Sequence, residues 1–400
     1  MTGRLIQRVA SDFLAACERI ESGRLRVRTP EGHVHDFGGP GGSSGPGGSP
    51  GPGAGSEAEL RIRDWAAVTA LRARGDIGFA EAYVAGLWDT PGIEPLVSLA
   101  LRDEAAMRTY SAPSPLRGMG FRLLDRIVRR NSIAGSGRNV RAHYDLGNEF
   151  YGEWLDPGFT YSSALFAESD TDLARGQARK YDRILDRLGG RERVLEIGCG
   201  WGGFADRAVG RGHAVDAITL SPAQKAYADA RLDGRAKIEL RDYRRTSGRY
   251  PAIVSIEMIE AVGERYWPTY FATLRDRLAD EGAAVIQAIT VADDHFPAYR
   301  RSTDYIRHAI FPGGMLLCER AIVSGAARAG LRAAEPFAFG QHYALTCRQW
   351  ASRLVARSGR LASLGYGEAT LRHWRYYLEA CAATFAVGRA NVVQVELTHA

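Results

Sequence analysis

Two carboxylates, Glu257 and Glu260, follow the apolar run Ile253-Val254-Ser255-Ile256. At the end of a strand that faces an apolar crevice, a carboxylate can take up a proton or balance a cation. Burial would raise its pKa unless a neighbouring cation held it ionised. The bland alternative for Glu260 is a solvated residue at a strand end. The second chemical element is the stretch Arg193-Val194-Leu195-Glu196-Ile197-Gly198-Cys199-Gly200-Trp201-Gly202-Gly203-Phe204. An apolar strand runs into a glycine-dense turn and then a helix, which presents backbone N–H groups to a nucleotide-like ligand. The spacing of Gly198, Gly200 and Gly203 also fits the dinucleotide fingerprint. Glu196, two residues before the first glycine, invites no phosphate beside it and favours a cationic or neutral nucleoside such as S-adenosylmethionine over NAD. Thr219, rather than an acid, closes the next strand, which removes the NAD reading.

These residues need a frame. From residue 190 onward strands and helices alternate, with strands expected at 193–198, 214–219, 237–242, 252–257, 283–290, 332–338 and 391–398. Helices are expected at 202–210, 221–232, 264–279, 319–329 and 368–387. Such alternation predicts an α/β fold with a doubly wound, mostly parallel sheet and ligands at the carboxyl ends of its strands. Two aromatic segments, 140–170 and 291–318, interrupt the rhythm and are placed to build a substrate pocket. Residues 1–115 read as a separate, smaller α+β domain: a helix over 1–20, short strands near 25–28, 34–37 and 58–63, and helices over 65–108. Residues 38–56 are nearly all Gly, Pro and Ser and form a flexible loop that packs no core. Residues 116–400 form the second domain.

The chain has 400 residues and a net charge of +6, carried almost wholly by arginine, since Lys stands only at 180, 225 and 237. Arginine suits an anionic surface such as phospholipid headgroups, and no nucleic-acid partner is expected. Residues 121–130 pair Phe121, Leu124, Ile127 and Val128 with Arg122, Arg126, Arg129 and Arg130, the pattern of a basic amphipathic helix on a membrane or of an ordinary surface helix. No apolar run approaches the ~20 residues of a membrane span, and no signal peptide is visible. A cytoplasmic protein, peripheral at the inner membrane face, is the expectation. The five cysteines are scattered and indicate neither a disulfide framework nor a metal site.

Four pieces, read together, carry a resemblance: His143-Tyr144-Asp145-Leu146-Gly147-Asn148-Glu149-Phe150-Tyr151 followed by Thr160-Tyr161-Ser162-Ser163-Ala164-Leu165-Phe166; the glycine turn with Trp201; Ala217-Ile218-Thr219-Leu220-Ser221-Pro222-Ala223-Gln224; and Val254-Ser255-Ile256-Glu257-Met258-Ile259-Glu260-Ala261-Val262-Gly263. In this order and spacing the chain resembles the cyclopropane-fatty-acyl-phospholipid synthase family, which includes the mycolic acid cyclopropane synthases. The likeness covers about 130–400, and more loosely the N-terminal domain. It implies a Rossmann-like class I S-adenosylmethionine-dependent methyltransferase acting on the cis double bond of phospholipid acyl chains. It also implies that Tyr161, Ser162, Glu196, Gly198, Gly200, Gly203, Thr219, Leu220, Gln224, Asp242 and Tyr243 bind the methyl donor. Asp216, inside the second strand, is the alternative acid for the ribose. Homo-oligomers are compatible with the resemblance.

In this family bicarbonate, held by Cys, Glu, His and Tyr, serves as the base. Here the Glu and Tyr correspond to Glu260 and Tyr343, the Cys to Ser163, the His to Gln287, and the usual small residue before the Glu-containing turn to Glu257. Ser163 still offers a backbone N–H and Gln287 a side-chain donor. A second carboxylate near the site repels an anion, which argues against bicarbonate and for direct action by Glu260 or Glu257. The Ser-Ser-Ala-Leu-Phe and Ile-Glu-Met-Ile-Glu-Ala-Val-Gly variants resemble the branch that makes 10-methylene acyl chains, with cyclopropane formation as the alternative product. A small-molecule methyltransferase is disfavoured by the aromatic insertions, and a silent lipid-binding homologue by the intact glycine turn.

Overall fold

The computed structural model describes residues 3–39, 57–104 and 146–400. The chain divides into two compact units, one of Met1–Leu123 with Leu354–Val387 and one of Leu124–Arg353 with Gly388–Ala400. The expected boundary near 115, most of the Gly/Pro/Ser-rich loop, Tyr144 and the basic segment 121–130 lie outside the described residues.

In the first unit, β1 (Arg24–Arg28), β2 (Val34–Phe37), β3 (Glu57–Ile62) and β4 (Trp88–Asp89) form a sheet of order β2-β1-β3-β4. Alternation in β1 and β3 buries Leu25, Val27, Ala58, Leu60 and Ile62 on one face. The helix Glu368–Ala386 belongs to this unit, although the sequence reading assigned it to the second domain. Two charged side chains on its exposed-looking pattern explain the difference. Glu379 accepts from the N–H groups of Ile93 (2.6 Å) and Glu94, the open N-terminus of the helix Ile93–Arg102. Arg372 donates to the carbonyls of Tyr83 (2.7 Å) and Trp88 (2.9 Å) and lies 3.9 Å over the Tyr83 ring.

The second unit holds a mixed sheet of order β10-β12-β9-β8-β5-β6-β7, with β11 also pairing to β12. Its strands are β5 (Arg193–Ile197), β6 (Ala214–Thr219), β7 (Lys237–Leu240), β8 (Tyr250–Ile256), β9 (Leu278–Val291), β10 (Leu331–Ala333), β11 (Phe337–Ala338) and β12 (Ala390–His399). β5 through β9 run parallel where they pair, and β12 is antiparallel to β9. The chain moves outward from β5 to β7 and returns to β8 on the other side of β5. This reversal opens a crevice at the carboxyl ends of β5 and β8, where the glycine turn and Glu257 emerge.

The strand expected at 332–338 is two short strands, because Pro336 has no N–H to continue the ladder. Two long helices of the structure lie outside the expected set: Leu173–Leu188 and Gly340–Ala356. The first starts on Asp172, whose carboxylate accepts from the Arg175 N–H at 2.8 Å. Its buried face includes Gln177 and Lys180 beside Tyr181, Ile184 and Leu188, and these polar residues hide the helical apolar pattern.

Candidate active site

The glycine turn is built from backbone angles that favour glycine. Gly198, Gly200 and Gly202 have φ of 87°, 52° and 83°. The N–H groups of Gly198 and Cys199 both donate to the Ile218 carbonyl at 3.0 Å, tying the turn to β6. A Cβ at Gly198 would meet Met258 Cγ at 2.9 Å, whereas one at Gly200 would meet nothing within 4 Å. The second position therefore leaves backbone open to a ligand.

Glu196 lines the same cleft, together with Tyr161, Ser162, Thr219, Leu220, Gln224, Asp242, Tyr243 and Glu257. Its carboxyl is buried, and Oε2 has no hydrogen-bond partner among the described residues. Burial pushes its pKa up to about 8, against the pull of Lys180 and Arg231. An orphaned acceptor facing a cleft awaits a donor from a ligand. Thr219 Oγ1 donates to Gln224 Oε1 (2.9 Å), and Ser221 Oγ accepts from the Gln224 N–H (3.2 Å), so the turn after β6 is set by its own side chains. Asp242 accepts from the Arg244 guanidinium at 2.6 and 2.8 Å and from the Arg244 N–H at 2.9 Å. Asp216 does not line the cleft. It pairs with Arg193, and the ribose alternative at that position is set aside.

An unpaired carboxylate, open main chain and adjacent hydroxyl and amide groups fit a nucleoside bearing hydroxyls and a positive charge, so the residues suit S-adenosylmethionine. Glu196→Gln, which keeps the shape but removes the charge, is expected to weaken S-adenosylhomocysteine binding about tenfold by titration calorimetry.

Three of the four positions that resemblance assigned to an anion's ligands converge on Glu257, itself part of the cleft lining. Glu257 Oε1 accepts from the Ser163 N–H (2.9 Å) and from Gln287 Nε2 (2.7 Å), and Oε2 accepts from the Tyr343 hydroxyl (2.7 Å). Its own N–H donates to the Gln287 carbonyl at 2.8 Å. The residue is held at φ 49°, a left-handed conformation that costs a glutamate of order 1–3 kcal/mol. Burial raises the Glu257 pKa, while Lys180, the Tyr343 hydroxyl, the Ser163 N–H and Gln287 work against it. The Ser163 hydroxyl plays no part, since it donates to the Ala164 carbonyl.

Glu260 stands apart. On the short helix Ile259–Val262 it accepts from the Ile289 N–H through Oε1, and Oε2 has no partner among the described residues. Burial and the nearby Glu257 charge push it up to about 8. Glu260 does not line the cleft; of the four positions that the resemblance assigns to an anion, Ser163, Gln287 and Tyr343 surround Glu257 and Glu260 stands outside the group. The insertion after β9 reaches Glu260 through the Met315 N–H, which donates to its carbonyl at 2.8 Å.

Lys180 was not singled out from sequence. Its Nζ is fully buried, donates to Ser162 Oγ at 2.5 Å, and lies among Glu257, Asp156 and Glu196; burial draws its pKa down to about 7. One of only three lysines, set on the apolar face of a helix, was the available signal. Tyr161 belongs to an aromatic wall, with ring centroids 5.4 Å from Trp350, 5.6 Å from Trp154 and 5.8 Å from Tyr151. Among the described residues no His/Cys/Asp/Glu group is arranged to hold a metal ion, and no helix is long and apolar enough to cross a membrane.

Comparison with known proteins accords with this geometry. The mycolic acid cyclopropane synthetase family model matches residues 132–395. The chain is 37% identical over 337 residues to the tuberculostearic acid methyltransferase UfaA1 of Mycobacterium tuberculosis, covering 80% of this chain and 78% of that one. It is 31% identical over 356 residues to the cyclopropane-fatty-acyl-phospholipid synthase of Escherichia coli, covering 84% and 86%. Of solved structures, the cyclopropane synthase MmaA2 from Mycobacterium tuberculosis matches with a TM-score of 0.62 at 28% identity, over 65% of this chain and 97% of that one. The mycolic acid cyclopropane synthase CmaA1 complexed with SAH and CTAB matches with a TM-score of 0.61 at 28% identity, again over 65% and 97%. The chain thus belongs to the mycolic acid cyclopropane synthetase family, S-adenosylmethionine-dependent methyltransferases that act on fatty acyl chains.

Proposed function

We propose that this enzyme methylates the double bond of an unsaturated acyl chain in a phospholipid at a membrane face and releases a methylene-branched chain, with Glu257 as the base. The observation that carries the reading is the convergence of Ser163, Gln287 and Tyr343 on the Glu257 carboxylate. These donors would otherwise hold a small anion, and a tethered carboxylate takes its place, so bicarbonate is not required.

S-adenosylmethionine, when bound, supplies an electrophilic methyl group. Glu196, the open main chain at Gly200, and the Thr219–Gln224 and Asp242–Tyr243 turns would hold it. Tyr161 and its aromatic neighbours exclude water and offer π faces to positive charge. An alkene that gains a methyl group becomes a carbocation. After a hydride shift, Glu257 takes the proton whose loss leaves the methylene group, and three donors stabilise the carboxylate until then. Without the shift, proton loss closes a cyclopropane ring. The higher identity to UfaA1 than to the Escherichia coli synthase favours the methylene product.

Mass spectrometry of lipids from a host containing oleoyl phospholipids tests the reading. A gain of 14 mass units per modified chain, with a product that takes up hydrogen on catalytic reduction, is expected; both products share the added CH2, and only the methylene retains an alkene. A cyclopropane ring as sole product overturns the methylene assignment. Binding to vesicles of anionic phospholipid tests the membrane placement.

A further inference from the structure

The donor that Gln287 presents to Glu257 is itself oriented from farther away. Gln287 on β9 stands opposite Gln394 on β12 in the strand register, and both side chains are almost fully buried. Gln394 Nε2 donates to Gln287 Oε1 at 3.0 Å, and Gln394 Oε1 accepts from Arg183 Nη1 at 3.0 Å. Arg183 lies one turn after Lys180 on the helix Leu173–Leu188, its guanidinium 3.7 Å over the Phe337 ring. We infer that Arg183 and Gln394 are positioning residues that set the polarity of a hydrogen-bond relay, Arg183 to Gln394 to Gln287 to Glu257. This rests on the reading of Glu257 as the base.

The argument comes from donor and acceptor inventories. A guanidinium only donates, so it accepts no amide N–H. Gln394 must therefore turn its oxygen to Arg183 and its NH2 to Gln287. Gln287 must in turn present oxygen to Gln394 and NH2 to Glu257. The reversed relay would set an NH2 against the guanidinium at one end. At the other it would set an amide oxygen against Glu257, which suits only a protonated carboxyl. Arg183 thereby favours the ionised form, the one that accepts a proton, through two neutral amides buried where such bonds are strong.

Other groups also act on Glu257: Lys180 from the same helix, Glu260 from the helix Ile259–Val262, and Tyr343 from the helix Gly340–Ala356. Asp156 and Glu196 reach it through Lys180, which they share. All of these remain unchanged in variants at 183 and 394.

The test reads protonation directly in the free protein. The infrared carboxyl band that is present in the wild type and missing in Glu257→Gln is followed against pH in Arg183→Met, Arg183→Lys and Gln394→Met. Loss of one hydrogen bond to a carboxylate is expected to move the midpoint up by about 1 pH unit in Arg183→Met and Gln394→Met. Arg183→Lys, which keeps a donor-only group, should stay near the wild type. Gln394→Met keeps the Arg183 charge, so a shift confined to Arg183→Met would mean charge acting through space and would overturn the relay. Unchanged midpoints in both would also overturn it. The two positions are read separately, so Gln394→Met decides the matter if Arg183→Met does not fold. Failure of the base assignment is read elsewhere, as lipid methylation retained by Glu257→Gln.

Discussion

Glu257→Gln is expected to lower lipid methylation by about a thousandfold while still binding S-adenosylhomocysteine, because the amide fills the same space but takes up no proton. Glu260→Gln makes the informative contrast. It removes a carboxyl whose own pKa is raised by burial and by the nearby Glu257 charge and which does not line the cleft, and should cost at most about tenfold. Initial rates on vesicles of oleoyl phospholipid measure both. An inactive Glu260→Gln beside an active Glu257→Gln would reverse the assignment. The same experiment carries a pH signature. Glu257 must be ionised to act, so kcat falls as pH drops through its pKa. Burial raises that pKa, placing the acid limb above the usual carboxylate range.

The second large effect is a recovery. Glu257→Gly puts the residue that tolerates φ 49° where the backbone demands it, relieving strain of order 1 kcal/mol. It also strips the Ser163 N–H, Gln287 and Tyr343 of their acceptor. Three buried donors left unmade are costly, and a small planar anion satisfies them. We expect Glu257→Gly to be nearly inactive in buffer freed of carbon dioxide and to recover at least about tenfold when bicarbonate is added. Glu257→Gln, whose side chain still occupies the seat, should show no recovery. Equal responses in the two variants would mean that the site does not accept an anion once emptied.

The residues that line the cleft are legible as a group because their information is local. Glu196, the three glycines, and Thr219 through Gln224 lie in two contiguous stretches whose turns are set by their own neighbours. The surroundings of Glu257, the base in the proposed reading, are less legible for two reasons. Its partners come from 163, 287 and 343, brought together only by the sheet order and by the helix Gly340–Ala356, which was not read. The positive φ of Glu257 also has no sequence sign, since glutamate is not a residue that usually takes it. The sequence therefore leaves Glu260 and Glu257 as two candidates, both close to the end of one strand. Lys180 and Gln394 illustrate the same limit: polar residues on buried faces are read as solvent-facing until their partners are known. The helix Glu368–Ala386 was found with nearly correct bounds but assigned to the wrong unit, because helical periodicity says that a face is buried and not against what.

Both units are assembled from segments far apart in the chain, and this has a consequence for synthesis. Domains that fold as they emerge from the ribosome do so from the amino end. The first unit lacks the helix Glu368–Ala386 until residue 386 has been added, and the sheet of the second lacks β12, which pairs with β9 on one side and β10 on the other, until residue 399. The glycine turn, with β5 and β6, is complete once Thr219 has been added. Gln394 arrives with β12. A growing chain therefore completes the glycine turn well before the strand that carries Gln394; in the proposed reading, early cofactor binding precedes the ability to finish the reaction.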